Sequence, residues 1–401
     1  MDFELTPRVE ELRDRIRAFL DEHVYPVELD ALRALDAEVA TGVPYHKILV
    51  EIRERAKADG LWNLFMADSE HGAGLTNWEY GVLCEEMGRS PAIAPMAFNC
   101  SAPDTGNMEI LAEHGTPEQK QRWLEPLLEG EIRSCFSMTE PEVSGSDPTT
   151  LQTRAELDRD EWVINGHKWF TSGAVGASLA IVMCVTDPDA PPYGRASMIC
   201  VPTDAPGFNL VRPVPVMGHD GGPGHCEIRY DDCRVPADSL LGEEGQGFVD
   251  TLRILDRGRI GIAAFSLGIA QASLEASHRY AVDRRQFGHA IADFQAIQFK
   301  IADMATKVSA ARLLAWHAAS LRDAGKEHKV ESSMAKLFAS EAAVEVAMEA
   351  VQIHGGYGYI KDYPVERYLR DSKLGTIGEG TSEVQRLVIA REILGLRGMV
   401  R

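Results

Sequence analysis

Glu161-Trp162-Val163-Ile164-Asn165-Gly166-His167-Lys168-Trp169-Phe170-Thr171-Ser172 is the stretch that decides the fold. It contains two runs rich in β-branched and aromatic residues, and between them lies Asn165-Gly166, the strongest short hairpin signal. We therefore predict two strands joined by a turn at Asn165-Gly166. Similar extended runs follow at residues 180–185, 197–201 and 226–230. A β-region is thus predicted from about residue 134 to 230.

The chain on either side of this region has helical patterns. Thr6 and Pro7 form an N-cap and first-turn pair, followed by apolar residues at helical spacing, and further helical stretches cover 48–58, 79–87 and 119–128. All but one of the twenty prolines lie at or before Pro236, and the next is Pro364. A proline-free run of this length indicates long, packed helices. The order of helices, strands and helices predicts an α+β protein.

Composition excludes several classes of function. The 401 residues carry a formal charge of −20, which argues against nucleic-acid or anionic-membrane partners. Seven cysteines without a Cys-x-x-Cys pair indicate reduced, buried thiols in a reducing compartment, and we expect no metal site. The sequence shows no leader pattern and no uncharged run long enough to span a bilayer, so we expect a cytoplasmic protein with no membrane insertion.

Near the C-terminus, Gly378-Glu379-Gly380 places one carboxylate between two glycines. Thr381 and Ser382 follow directly and are good N-caps for an apolar-periodic helix. A carboxylate on a bend at a helix N-terminus lies beside unpaired N–H groups and could serve as a base. By itself, this stretch is explained more simply as a capped helix after a flexible turn.

Five motifs occur together in a characteristic order. They lie at residues 136–147, 165–172, 284–288, 352–367 and 370–383. In this order and spacing they resemble the acyl-CoA dehydrogenase family, over residues 5–395. The resemblance implies an N-terminal all-helical domain at 1–132, a central β-barrel or sandwich domain at 133–245, and a C-terminal four-helix bundle at 246–401. It also implies bound FAD and a homotetramer built as a dimer of dimers.

The resemblance implies FAD contacts spread along the chain. One segment lies along the flavin ring, an arginine reaches the pyrophosphate, and a glycine loop comes from a neighbouring subunit. The implied contacts are Phe136, Met138, Thr139, Ser146, Phe170, Ser172, Arg284, Gln286, Phe287, Gln295, Gln352, Gly355, Gly356, Thr381 and Glu383. Ser144 remains an alternative to Ser146. Trp169 remains an alternative to Phe170, although strand alternation would send these two side chains to opposite faces.

By the same resemblance, Glu379 removes the α-proton of an acyl-CoA while the β-hydrogen leaves as hydride to the flavin. Ser146, Asp256, Arg259 and Gly380 match substrate-binding positions. Asp256 and Arg259 can share a helix face, where the simpler interpretation is a modest surface pair. Some members carry the base at the position of Gly258, where glycine cannot serve, which favours Glu379.

The resemblance leaves the substrate and the acceptor open. Gly378 stands where many straight-chain members have tyrosine, and the segment 217–227 resembles a branch acting on long or hydroxylated acyl chains. We expect electrons to pass to an electron-transferring flavoprotein. An oxygen-using acyl-CoA oxidase and a non-catalytic assembly or scaffold protein are the alternatives.

Overall fold

The computed structural model describes residues 4–40, 47–67, 71–219 and 224–396. These residues form two compact units. The bundle unit falls within Met1–Val24, Leu75–Ala94 and Asp256–Arg401, and the sheet unit within Tyr25–Gly74 and Pro95–Leu255. The domain limits 1–132, 133–245 and 246–401 stay predictions. The segment 217–227 lies partly outside the described residues, as does the N-terminal start of the chain.

The helices account for most of the ordered elements. In chain order they are α1 (Pro7–Phe19), α2 (Glu28–Ala40), α3 (Lys47–Ala58), α4 (Asn77–Met87), α5 (Ala94–Ala97), α6 (Asp104–His114), α7 (Pro117–Gln119), α8 (Glu125–Leu128), α9 (Gly247–Asp283), α10 (Gln295–Asp323), α11 (Lys329–His354), α12 (Val365–Gly375) and α13 (Ser382–Leu394). The N-cap at Thr6 is confirmed, because its hydroxyl accepts a hydrogen bond from the Val9 N–H at 3.4 Å. The predicted stretches at 48–58 and 79–87 correspond to α3 and α4.

Long helices fill the proline-free region, as predicted. Helices α9, α10 and α11 have 37, 29 and 26 residues. Their buried faces are rich in alanine, for example Ala311 and Ala315 on α10 and Ala339 and Ala343 on α11. Side chains four residues apart share a helix face, and small ones allow neighbouring helices to approach closely. The core of the bundle unit is therefore a close contact between long helices.

One described helix, α9, is long and apolar enough to cross a membrane by length and composition alone. However, 67% of its most apolar stretch is buried inside the protein. Burial of this extent is typical of a core helix.

The sheet unit contains one eight-stranded sheet. Its strands are β1 (Ser134–Ser137), β2 (Arg154–Asp158), β3 (Glu161–Thr171), β4 (Leu179–Val185), β5 (Ala196–Pro202), β6 (Phe208–Pro213), β7 (Cys226–Pro236) and β8 (Leu240–Leu241). The spatial order is β6-β7-β3-β2-β4-β5-β8, with β1 pairing in parallel to β4. Strand β4 is buried along its whole length. The extended runs predicted at 180–185, 197–201 and 226–230 are confirmed as β4, β5 and β7. A separate short hairpin joins β9 (Arg285–Gln286) to β10 (His289–Ala290).

The hairpin turn predicted at Asn165-Gly166 is wrong. Both residues lie inside the continuous strand β3, at a register shift against β7, and the tight turn instead connects β2 to β3 through Arg159 at φ +60°. A Cβ at Gly166 would lie 2.3 Å from Thr153 Oγ1, so glycine is needed there for close packing. The Asn165 carboxamide binds the backbone N–H of Asp232 at 2.9 Å. The dipeptide therefore forms a β-bulge, not a chain reversal.

Candidate active site

Glu379 lies on a bend between helices α12 and α13. Its φ is +50°, in the left-handed region, and Gly380 follows at φ +88°. The Thr381 hydroxyl accepts a hydrogen bond from the Val384 N–H at 3.2 Å and so caps α13, as predicted. A left-handed residue other than glycine costs about 1–2 kcal/mol. The surrounding structure must therefore hold Glu379 in this conformation.

Helix α9 provides a gap for the Glu379 carboxylate. A Cβ built on Gly258 would lie only 2.8 Å from Glu379 Oε2. Any larger residue at position 258 would therefore press on the carboxylate. Position 258 and the Glu379 carboxylate thus face one another in the bundle unit.

Burial and nearby cations act on Glu379 in opposite directions. Burial raises the pKa of its carboxyl group, while the positive charges of Lys336 and Arg259 pull that pKa back down. Arg259 is itself buried and its guanidinium donates a hydrogen bond to Asp256. The predicted shared face of Asp256 and Arg259 on α9 is confirmed as an ion pair. The half-buried carboxylate thus lies beside compensating positive charge.

Lys336 and Gln385 are functional candidates that the sequence reasoning missed. Both side chains are fully buried, and both donate hydrogen bonds to the Gly380 carbonyl, at 2.7 Å from Lys336 Nζ and 3.0 Å from Gln385 Nε2. Burial lowers the pKa of Lys336 to about 8. A signal was present in the sequence, since Lys336 shares helical spacing with Ala339 and Ala343 and so falls on an apolar face of α11.

A cavity of about 500 Å³ in the bundle unit brings together several of the expected FAD contacts. Arg284, Gln286, Gly355 and Gly356 all line it. A Cβ at either glycine would meet nothing within 4 Å, so a ligand can approach the backbone directly. A forked guanidinium and an open glycine backbone are what a diphosphate requires, and these residues fit FAD.

The glycine loop, Gly355 and Gly356, was predicted to come from a neighbouring subunit. In the single chain, Arg284 and this loop line one cavity. The Arg284 guanidinium also lies 5.1 Å from the centre of the Tyr357 ring, in the same loop. The origin of this loop in a neighbouring subunit stays a prediction.

Other expected cofactor contacts do not line this cavity. They are solvent-exposed in the single chain, with Phe287 exposed over 90% of its surface. Gln295, Gln352 and Glu383 are also exposed. Their predicted roles stay predictions. His354 lines the cavity as well and stacks on Tyr280 at 4.2 Å between ring centres, a contact the sequence did not predict.

The sheet unit brings together a second set of expected contacts. The Trp169 N–H donates to the Thr139 carbonyl at 2.8 Å, and Lys168 Nζ donates to the Met138 carbonyl at 2.8 Å. The segment following β1, which carries Met138 and Thr139, is thus fastened to the end of β3, which carries Phe170. Phe136 lies within β1 and is half-buried.

A buried ion pair reinforces this junction. Lys168 Nζ lies 2.9 Å from Glu140 Oε1, and Glu140 also accepts hydrogen bonds from the backbone N–H groups of Gln152 and Thr153. Burial alone would raise the pKa of Glu140, but the Lys168 charge and these hydrogen bonds outweigh it and hold the pKa below its usual range. The sequence reasoning did not identify this pair.

The expectation that Trp169 and Phe170 point to opposite faces is wrong. Their rings lie edge to face with 4.8 Å between centres. Phe170 has φ +54° and lies at a register shift between β3 and β7, so regular strand alternation is broken there. Phe170 is 50% exposed. The choice between Trp169 and Phe170 as the flavin contact stays open.

The remaining polar candidates of the sheet unit lie on loops. Ser172 Oγ is 2.6 Å from His225 Nδ1, and burial lowers the pKa of His225, which favours the neutral imidazole. Ser144 and Ser146 are both exposed, and the turn that holds them closes with a hydrogen bond from the Asp147 N–H to the Ser144 carbonyl. The choice between these two serines stays open.

Comparison with known protein families covers almost the entire chain. The acyl-CoA dehydrogenase N-terminal, middle and C-terminal domain families match residues 6–131, 135–233 and 245–394, respectively. These three matches occur in the order that the sequence analysis predicted.

Individual relatives agree with this assignment. The chain is 42% identical over 398 residues to the probable acyl-CoA dehydrogenase FadE2 of Mycobacterium tuberculosis, covering 98% of this chain and 96% of that protein. It is 39% identical to the acryloyl-CoA reductase (NADH) of Anaerotignum propionicum, covering 98% and 96%. The solved structure of butyryl-CoA dehydrogenase from Megasphaera elsdenii superimposes with a TM-score of 0.85 at 34% identity, covering 98% and 100%. The chain therefore belongs to the acyl-CoA dehydrogenase family, a family of FAD-dependent oxidoreductases.

Proposed function

We propose that this protein converts an acyl-CoA thioester to the trans-2-enoyl-CoA, with Glu379 as the base that removes the α-proton. The observation that carries the proposal is the half-buried Glu379 carboxylate, held against Gly258 in the bundle unit with its pKa raised by desolvation. Removing water makes a carboxylate a stronger base and protects the charge that develops during proton transfer.

The backbone at Glu379 supports a second role. Within the described residues, the Glu379 N–H makes no hydrogen bond to the rest of the protein. It is therefore available to the thioester carbonyl, whose oxygen gains negative charge as the α-proton leaves. A fixed N–H donor at this point stabilises that charge without reorganisation. One residue thus supplies both the base and a carbonyl donor.

FAD, when bound, supplies the acceptor for the β-hydride. In the bundle unit, Arg284 and the backbone of Gly355 and Gly356 would hold its diphosphate. For the sheet unit, the family resemblance assigns contacts with the flavin ring to the segment from Phe136 to Thr139, to Phe170 and to Ser172. Gln286 would assist at the diphosphate end.

The acyl group and the electron acceptor form the finer part of the proposal. A Cβ at Gly378 would meet Leu374 only at ordinary contact distances, 3.4 Å from its carbonyl oxygen, so the wall beside the base has room for a branched or longer chain. We expect an electron-transferring flavoprotein as the acceptor, acyl-CoA as the substrate, and a homotetramer in the cytoplasm.

The reverse reaction is a second candidate, because one relative of similar identity is named an acryloyl-CoA reductase (NADH). By microscopic reversibility, Glu379 would then deliver the α-proton to an enoyl-CoA. Substrate reduction by the reduced holoenzyme, compared with flavin reduction by the saturated acyl-CoA, measures which direction is favoured.

The test is an anaerobic titration of the FAD-loaded protein with straight, branched, hydroxylated and cyclic acyl-CoAs. The wild type should lose its oxidised flavin absorbance with at least one class, and Glu379→Gln should keep FAD but lose this bleaching. Wild-type bleaching in Glu379→Gln would refute the assignment of the base. A protein that never binds FAD would support a scaffold role. Rapid reoxidation of the reduced flavin by oxygen would support an oxidase.

A further inference from the structure

The Gly380 carbonyl, directly after Glu379, is held by two buried side-chain donors. Lys336 Nζ reaches it from α11 at 2.7 Å and Gln385 Nε2 from α13 at 3.0 Å. Gln385 Nε2 also lies 3.4 Å from the Glu379 carbonyl. Neither Lys336 nor Gln385 has any solvent-exposed surface. Two helices thus converge on one peptide group of the bend.

A fully buried lysine needs a specific reason, because removing an ammonium group from water is costly. The Lys336 ammonium donates to the Gly380 carbonyl, which lies between helices α12 and α13, because α12 ends at Gly375 and α13 begins at Ser382. With a pKa of about 8, Lys336 carries its charge at neutral pH. The lysine therefore provides a charged donor at the point where the chain bends.

The bend needs this support because its backbone is strained. Glu379 and Gly380 are consecutive left-handed residues, and Glu379 has a side chain that disfavours this conformation. A Cβ at Gly380 would lie 2.6 Å from Gln385 Nε2, so glycine is also what allows the carboxamide to approach. Because Gln385 Nε2 also lies 3.4 Å from the Glu379 carbonyl, the two donors hold the backbone on both sides of Gly380.

We propose that Lys336 and Gln385 are positioning residues that hold the Glu379 carboxylate over Gly258 in its reactive orientation. This inference rests on the proposed function. The two residues have different parts in it, because Gln385 supplies only a neutral hydrogen bond, whereas Lys336 supplies a hydrogen bond and a positive charge that acts on Glu379. The other charged groups that act on Lys336 or Glu379 are Arg259 on α9, Glu341 on α11 and Glu383 on α13.

Replacing each donor by methionine separates the role of the hydrogen bond from the role of the Lys336 charge. Methionine is similar in size to both side chains and cannot donate a hydrogen bond. In Lys336→Met and Gln385→Met, we expect the limiting rate of flavin reduction to fall by about 10-fold to 100-fold, as for a misplacement of the base of up to about 1 Å. FAD content should stay at the wild-type level, because neither side chain lines the cavity that contains Arg284, Gly355 and Gly356.

The pH dependence distinguishes charge from position. Losing the Lys336 charge removes an influence that lowers the pKa of Glu379, so the acid limb of the rate should move to higher pH in Lys336→Met. Gln385→Met removes no charge, and its acid limb should stay at the wild-type position. A residue that merely filled the core would not produce this difference.

The experiment is stopped-flow anaerobic reduction of the FAD-loaded enzyme at saturating acyl-CoA over a pH series. Lys329→Met is the matched control, since Lys329 is on the same helix and pairs with Glu392 at the surface; it should behave as wild type. Wild-type rates per bound FAD in both test variants would overturn the inference, even if their FAD content falls. If Lys336→Met does not fold, Gln385→Met decides the question by its rate.

The two proposals can fail separately. A wild type whose flavin no acyl-CoA reduces refutes the proposed function. A wild type that is reduced normally, with both methionine variants reduced equally fast, refutes only the positioning role.

Discussion

The contact between Gly258 and Glu379 leads to a sharp prediction for Gly258→Ala. The added methyl carbon would lie 2.8 Å from Glu379 Oε2, about 0.6 Å short of ordinary van der Waals contact. The neighbour is the end of a flexible side chain, so the carboxylate should retreat by about this distance while the backbone stays in place. The variant should therefore fold and bind FAD.

The cost should appear in the chemical step. A misplacement of about 1 Å can cost about 100-fold in rate, so a retreat of about 0.6 Å should cost about 10-fold or slightly more. Stability should not fall, because alanine is favoured over glycine within a helix by about 1 kcal/mol. A slower enzyme with an unchanged or higher melting temperature is the expected combination.

Gly261→Ala is the matched control, one turn further along α9, where a new Cβ meets nothing within 4 Å. It gains the same helix propensity and should keep the wild-type rate. Stopped-flow flavin reduction at saturating acyl-CoA compares the two variants. Equal rates for Gly258→Ala and Gly261→Ala would show that the gap at Gly258 does not position the base.

Three further outcomes are expected. Burial raises the pKa of Glu379, and only its deprotonated form accepts a proton. The rate of flavin reduction should therefore rise with pH, with a midpoint above the usual carboxyl pKa of about 4.3. A midpoint at or below this pKa would contradict the prediction. Glu140→Gln should cost about 3–5 kcal/mol in urea unfolding at neutral pH, since it leaves Lys168 buried without its counter-charge. The folded state lowers the pKa of Glu140, so the difference in unfolding free energy between the wild type and Glu140→Gln should shrink as the pH falls from about 4.5 through the folded-state pKa. A difference that does not change with pH would argue against the ion pair. Arg284→Met should weaken FAD binding by about 10-fold to 100-fold in a fluorescence titration, and unchanged affinity would exclude Arg284 from the diphosphate site.

Much of the fold could be predicted because its signals are local. The Thr6 and Thr381 caps, the strand run at 180–185 and the proline-free helices are each visible within a few turns of chain. Local signals also misled at Asn165-Gly166, where a turn dipeptide forms a bulge. Its glycine is required by the distant Thr153, a contact that no local pattern contains.

The sequence by itself determined the order of the elements and the identity of the candidate base, because periodicity, capping and motif spacing are properties of adjacent residues. Only the tertiary structure decided how that base is held. Gly258, Lys336 and Glu379 lie on separate elements far apart in the chain, and packing brings them together. Burial raises the pKa of Glu379 and lowers the pKa of Lys336, and this burial exists only once the helices have packed.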